Sequence, residues 1–264
     1  MRKIALLLLL LSACYQQSTA QILNIERMRL QKDSAKTFMI KGTAGLNIFN
    51  RSADAENPVN LFGYNVMLNA IYTPGKHSYI FIGKSDFLQI NENPFLNFGF
   101  VHSRVNFLRD EKLNYEVFSQ YSYDNFRGLD PRIIFGGSAR LRLIQTEKSD
   151  LTIGFGGFYE NEVWQHPVSE QSVRAILLKS SNYIAYRTSL SSFVDLNMVH
   201  YYQVGYDRSI DNFRNRISSN ININTKITEK FSLNNSLDLS YEDRPIVPIT
   251  RFIFALNLGF SFDL

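Results

Sequence analysis

Residues Ile249–Leu264 read I-T-R-F-I-F-A-L-N-L-G-F-S-F-D-L. Phe252, Phe254, Leu256, Leu258, Phe260, Phe262 and Leu264 occupy every second position, with Arg251, Asn257, Gly259, Ser261 and Asp263 among those between. Alternation of this length predicts a β-strand with one apolar and one small or polar face. The strand is long and aromatic for a soluble sheet, but it suits a wall with hydrocarbon on one side and polar groups on the other.

Working backward, the same period of two runs through the chain from Thr37. Strands are expected near 37–50, 59–73, 78–90, 95–108, 113–125, 132–146, 150–163, 172–188, 191–206, 213–227, 230–242 and 249–264. Most reach or exceed the roughly 9 to 11 residues that cross a tilted membrane wall. The connections after even strands are tight and polar, as in Pro74-Gly75-Lys76 and Glu147-Lys148-Ser149. Several after odd strands are longer, namely 51–58, 126–131, 164–171 and 243–248. Such sorting is a habit of outer-membrane barrels, whereas a soluble barrel or sandwich has no need of it. The expected fold is therefore all-β, an antiparallel up-and-down transmembrane barrel of about twelve strands. An even strand count places both termini in the periplasm, and the last strand is expected to pair with 37–50 so that neither keeps an open edge.

Composition agrees with a wall that is apolar on one side only: hydrophobic residues make up 45% and aromatics 14%, with 21 Phe and 14 Tyr. Mean hydropathy is −0.16, far below that of a bundle of membrane helices. Aromatics gather near strand ends, at Phe38, Phe49, Tyr72, Tyr79, Phe107, Tyr123, Tyr206 and Phe213, where interfacial girdles would place them.

The start of the chain carries an address. Arg2-Lys3 precede an apolar run, Ile4–Leu11, which is much shorter than the about 20 residues of a membrane helix. Residues 1–20 are read as a signal peptide cleaved before Gln21, after the small residues Ser18 and Ala20. The alternative is Leu11-Ser12-Ala13-Cys14 as a lipobox, with Cys14 the processed, lipid-anchored N-terminus. Cys14 is the only cysteine, so a chain cut before Gln21 holds no disulfide or thiolate. Losing Arg2 and Lys3 lowers the formal charge of +4 by two, which gives no ground for nucleic-acid binding. Residues 21–36, with Ile22, Ile25 and Met28 at helical spacing, are expected to form a short periplasmic or lumenal segment.

Two strands display the face assignment cleanly. Phe231–Glu242 sets Leu233, Leu237 and Leu239 against Ser236, Asp238 and Ser240, and Phe213–Ile227 sets Ile217, Ile221 and Ile223 against Arg214, Arg216 and Asn220. Strand 172–188 is mixed, because Ile176, Leu178, Ile184 and Tyr186 share a parity with Arg174 and Asn182, and a bulge near Ser180-Ser181 is expected to reset it. On the resulting lumenal parity fall Lys41, Lys84, Asp86, His102, Arg104, Glu116, Asp124, Arg140, Arg142, Glu160, Glu162, Asp195, Arg214, Arg216, Asp238 and Arg251. The first expectation is that these charges pair across the lumen and pin the wall, since an unpaired interior charge is costly. The second is a narrow pore or small-ligand cavity for an anionic solute, with the neighbours Arg140 and Arg142, or Arg214 and Arg216, as contacts.

Catalysis, cofactors and metals are not expected. His77, His102 and His166 lack the spacing of a metal site. His200 falls on the outward parity with Ser192 earlier in its strand, too far for contact, so a lipid-active serine enzyme would need a nucleophile from a neighbouring strand. Gly136-Gly137 and Gly154-Phe155-Gly156-Gly157 lie inside strands, where they relieve crowding rather than cradle phosphate.

Asn24-Ile25-Glu26 with Arg29-Leu30, Tyr115–Tyr121, and Phe126-Arg127-Gly128-Leu129 with Arg132 and Gly136-Gly137 together resemble the YdiY-like outer-membrane proteins, a family of unknown function sometimes described as salt-induced. The resemblance implies a β-barrel in the outer membrane of a Gram-negative cell, with no established reaction and no residues of catalysis to carry over. Taken with the strand pattern, the expected protein is a monomeric barrel of structural or permeability role. Partners are then membrane lipid and the barrel-assembly machinery, whose C-terminal signal Gly259, Phe260, Phe262 and Leu264 resemble.

Overall fold

The computed structural model describes residues 37–50 and 58–262. The readings of 1–20, Cys14, 21–36 and Leu264, and of the Phe262 side chain, lie outside the described residues.

Among the described residues, twelve strands follow one another in a single antiparallel up-and-down sheet. They are β1 (Phe38–Asn50), β2 (Asn60–Tyr72), β3 (Ser78–Ile90), β4 (Asn93–Phe107), β5 (Leu113–Asp124), β6 (Leu129–Gln145), β7 (Ser149–Gln165), β8 (Ser172–Ser189), β9 (Val194–Asp207), β10 (Asn212–Lys226), β11 (Phe231–Glu242) and β12 (Phe252–Phe262). A single 3-10 turn, Asn125–Arg127, links β5 to β6. Among the described residues, ladders join sequence neighbours and β1 and β12 stand at the two ends of the row. No described helix is long and apolar enough to cross a membrane, which says nothing about crossing by strands.

The sheet curls, because side chains of strands that do not share a ladder meet on its inner side: Tyr183 of β8 with Glu116 of β5, and Arg216 of β10 with Glu160 of β7. This concave face collects most of the buried polar residues. The convex face stays apolar and open, with Phe254, Leu256, Leu258 and Phe260 each more than half exposed, as are Leu46, Ile48, Leu178 and Phe155. Near the even turns, rings of that face form a belt, Phe38 edge-on to Tyr72 at 6.2 Å and Tyr72 stacked on Tyr79 at 6.0 Å.

Three expectations need correction. Sorting of connections by length is weaker than the sequence suggests: β3 reaches β4 through only Asn91 and Glu92, both at positive φ, and 166–171 and 243–251 are the long described ones. The last strand begins at Phe252 rather than Ile249. Pro248 has no N–H to give a ladder, and the apolar residues around it turn inward. Finally, β8 has no bulge, since its ladders to β7 and β9 run through Ser180-Ser181 without a shift. Shifts fall instead at Leu88/Gln89, Ser122/Asp124, Leu129/Arg132 and Arg142/Ile144.

Candidate functional site: the charged interior

Register places the charged strand residues expected in the lumen, Lys41 through Asp238, on the concave parity, while Arg251 precedes β12; the centre of that face is a dense ionic lattice. Its deepest member is Glu160 of β7, fully buried. One carboxylate oxygen takes Arg132 of β6 at 2.5 Å and the other Lys179 of β8 at 2.5 Å. Neighbouring Glu162 takes Arg132 at 3.0 Å, and Arg216 reaches Glu160 and Glu162 at 3.4 Å and Glu242 of β11 at 3.0 Å. Three cations and three carboxylates thus neutralise one another across β6, β7, β8, β10 and β11, and Trp164 adds an indole N–H to Glu162 at 2.9 Å.

A second cluster lies nearer the even turns and is centred on Glu116 of β5. Arg104 donates to it at 3.0 Å, Ser138 at 2.6 Å and the Tyr183 hydroxyl at 3.2 Å. Arg140 in turn donates to Tyr183 at 2.5 Å and to Asn114 at 3.1 Å. The Tyr183 ring lies directly over Gly154, where a Cβ would overlap it, and Gly136 leaves the space between Phe118 and Phe158. The strand-interior glycines therefore let bulky side chains lie flat against backbone and reach across the lumen.

This second cluster divides the interior space. On the side of the odd-strand connections is a cavity of about 120 Å³, walled by residues of β4 through β12. On the side of the even turns is another of about 330 Å³, bounded by Arg140, Arg142, Arg109, Lys148 and Arg187. Glu116 and Tyr183 border the first and Arg140 the second.

The connection from β11 to β12 caps Leu129 and Trp164, two residues of the loop-side cavity wall. Val247, only 2% exposed, packs on Leu129 and Trp164, flanked by Ile246 and Ile249. Its root is tied to β10: Asn215 donates its backbone and side-chain N–H to the Asp243 carboxylate, both at 2.8 Å, and Arg244 donates to Asn212 at 2.8 Å and to the Phe213 carbonyl at 2.6 Å. Burial alone would push the Asp243 carboxyl up, but the Asn215 donors and Arg244 outweigh it and hold the group below its ordinary value.

Not every expected residue converges here. Arg142 is spent on Gln145, the Arg109 carbonyl and Asp150, and Arg214 on Asp207 at 2.6 Å, so neither is a free anion contact. Arg140 and Arg216 are likewise held by their partners. Lys84 pairs with Asp86 at 2.9 Å, and Asp195 accepts from Ser189 at 2.6 Å. Asp124 caps the 3-10 turn by accepting from the Arg127 N–H, Asp238 accepts from Asn220 at 2.5 Å, His102 meets Gln120 at 3.3 Å, and Lys41 is exposed. Arg251 stands at the cavity mouth. The lattice residues missed in the sequence are Arg132, Lys179 and Glu242. Lys179 alternates with Leu177, Ser181, Tyr183 and Ala185, so apolar residues on both faces of β8 hid its parity.

On the convex face His200 and Ser219 are register partners, Nδ1 and Oγ 2.7 Å apart. Ser219, not Ser192, is therefore the serine beside this histidine.

The family model described as "Protein of unknown function, DUF481" matches residues 60–262. A search of curated proteins returns no match. Among solved structures the chain is similar to OmpT, an outer membrane protein of Vibrio cholerae. Its loop L8 deletion mutant aligns at 11% identity over 86% of this chain and 99% of that one, with a TM-score of 0.28. The in-vitro folded protein aligns at 9% identity over 88% and 99%, again at 0.28.

Proposed function

Because the chain belongs to the DUF481 family, whose function is unknown, we propose from its geometry that it is an outer-membrane barrel that limits permeation, its lumen divided by a septum at Glu116, Arg140 and Tyr183. The apolar convex band supports the membrane setting, since a soluble protein rarely leaves so much contiguous hydrocarbon in water. Closure of β12 onto β1 would leave neither with an open edge and fits a cavity walled from β4 round to β12, and an even strand count supports termini on one side, read as the periplasm. Within the family, the motifs named above support our reading of the chain as YdiY-like.

The observation that carries the permeability reading is the division of the interior into two cavities by hydrogen-bonded side chains. Refolded protein in a planar bilayer should conduct poorly, and Tyr183→Ala, by removing the ring that crosses Gly154, should raise the unitary conductance severalfold. Large steady conductance in the parent protein, unchanged in the variant, would refute a septum there. For the barrel itself, migration on a gel should differ between boiled and unboiled samples.

A second reading, a lipid-active enzyme, rests on the His200–Ser219 contact facing hydrocarbon. Neighbouring N–H groups are engaged in the β9–β10 ladder, which leaves an oxyanion without donors. Fatty-acid release from phospholipid that is lost in Ser219→Ala would favour it over the barrier role.

A further inference from the structure

The loop-side cavity is where charge pairing is left unfinished. Its wall carries five arginines and three glutamates. Arg104, Arg132 and Arg216 are bound to carboxylates, as described above. Arg127 and Arg251, at the loop end, have no carboxylate within ion-pair distance among the described residues. Arg127 instead lies over the Trp164 ring at 5.8 Å. Arg127 feels Asp124, Glu242 and Glu162 only at longer range, so its guanidinium and that of Arg251 can give a carboxylate a charge-assisted bidentate partner.

The rest of the wall specifies the body of the ligand. Phe118, Phe158, Trp164 and Tyr201 line it, with His102 and Arg104 against the Phe118 ring and Arg127 over that of Trp164. Ser218 and Ser240, partners across the β10–β11 ladder, turn hydroxyls inward that no described group engages. A volume of about 120 Å³ equals roughly ten water positions at about 10 to 15 Å³ each, room for a single small ring.

We infer that this cavity binds a single-ring hydroxylated carboxylate, the ring between the aromatic side chains, the hydroxyls on Ser218 and Ser240, and the carboxylate on Arg127 and Arg251. Two sources share this chemistry, a sugar acid and a phenolic acid. The septum beneath makes the site a closed pocket, so a solute binds at the loop mouth without passing the Glu116 layer. This inference rests on the barrel reading.

Trp164 is the single tryptophan and lines the pocket, which provides a local signal. Full-length protein refolded in detergent and shown to be heat-modifiable would be titrated with galacturonate, with 4-hydroxybenzoate and with neutral galactose. Calorimetry would follow all three, and Trp164 emission the two sugars. Saturable binding of either acid, with galactose at least tenfold weaker, supports the site, and the acid that binds identifies the source. Arg251→Gln, at an exposed position, and Arg127→Gln should each weaken binding by about tenfold, the scale of one charge-assisted hydrogen bond. Equal binding of galactose, an unchanged affinity in the double variant, or no saturation by either acid up to about 10 mM overturns the pocket assignment and leaves the barrel standing. Loss of heat-modifiability in the parent protein would instead defeat the barrel reading.

Discussion

β1–β2 and β6–β8 obey the same alternation yet differ in what their concave faces hold. In β1 the inward positions are Met39, Lys41, Thr43, Gly45, Asn47 and Phe49, and most of the strand is exposed on both sides. In β7 they are Thr152, Gly154, Gly156, Phe158, Glu160, Glu162 and Trp164, and nearly all are buried or half-buried. Period two therefore decides only which way a side chain points. What fills the lumen is the match of long side chains from one strand with glycines and opposite charges on another.

The comparison breaks most readily at Glu160. Its removal in Glu160→Ala strands Arg132, Lys179 and part of Arg216 in a buried site. Uncompensated buried charge of this kind costs about 3 to 5 kcal/mol. Exposed Lys41→Ala should cost no more than about 0.5 kcal/mol. Urea titration of the two variants in detergent, followed by Trp164 emission, measures the difference. Equal midpoints would mean that the lattice holds the wall no better than the open region does.

A smaller effect is expected at Gly154. Replacing it with Val forces the Tyr183 ring off the strand, and overpacking of this kind typically costs about 1 to 3 kcal/mol. Gly42 of β1, whose added Cβ would meet only ordinary contacts, should accept Ala within about 0.5 kcal/mol. If both substitutions were equally mild, the septum would have room to relax, and the division between the two cavities would be soft.

This contrast also explains what could be read without the structure. Clean alternation in β10, β11 and β12 made their faces legible, and with them Arg214, Arg216, Asp238 and the exposed row from Phe252 to Phe260. In β8, Leu177 and Ala185 on the inner face matched Ile176 and Ile184 on the outer, so Lys179, the counter-ion of Glu160, went unseen. Arg140 and Arg142 looked available because sequence shows which residues share a face and not which partners reach them from other strands. The inward turn of 246–249 was hidden for a related reason. Apolar residues around Pro248 fit a strand end as well as a cap, and only contact with Leu129 and Trp164 distinguishes them.

The smallest expected effect lies at the root of that cap and separates it from the lattice below. Asp243 lies outside the strands, and its folded-state carboxyl is held below the ordinary value by the Asn215 donors and Arg244, which exceed the opposing effect of burial. A carboxyl depressed on folding contributes stability that is fully present above its unfolded value and lost as pH falls through the lowered folded one. The Asn215 tether should therefore hold at neutral pH and fail progressively below about pH 4. Hydrogen exchange at the Asn215 amide should quicken in that window relative to the intrinsic rate, and Trp164 emission should shift red as Val247 lifts from the ring. Asp243→Asn should flatten this dependence while leaving the barrel heat-modifiable. A red shift that persists unchanged in Asp243→Asn would move the acid-sensitive element from the loop root into the lattice around Glu160.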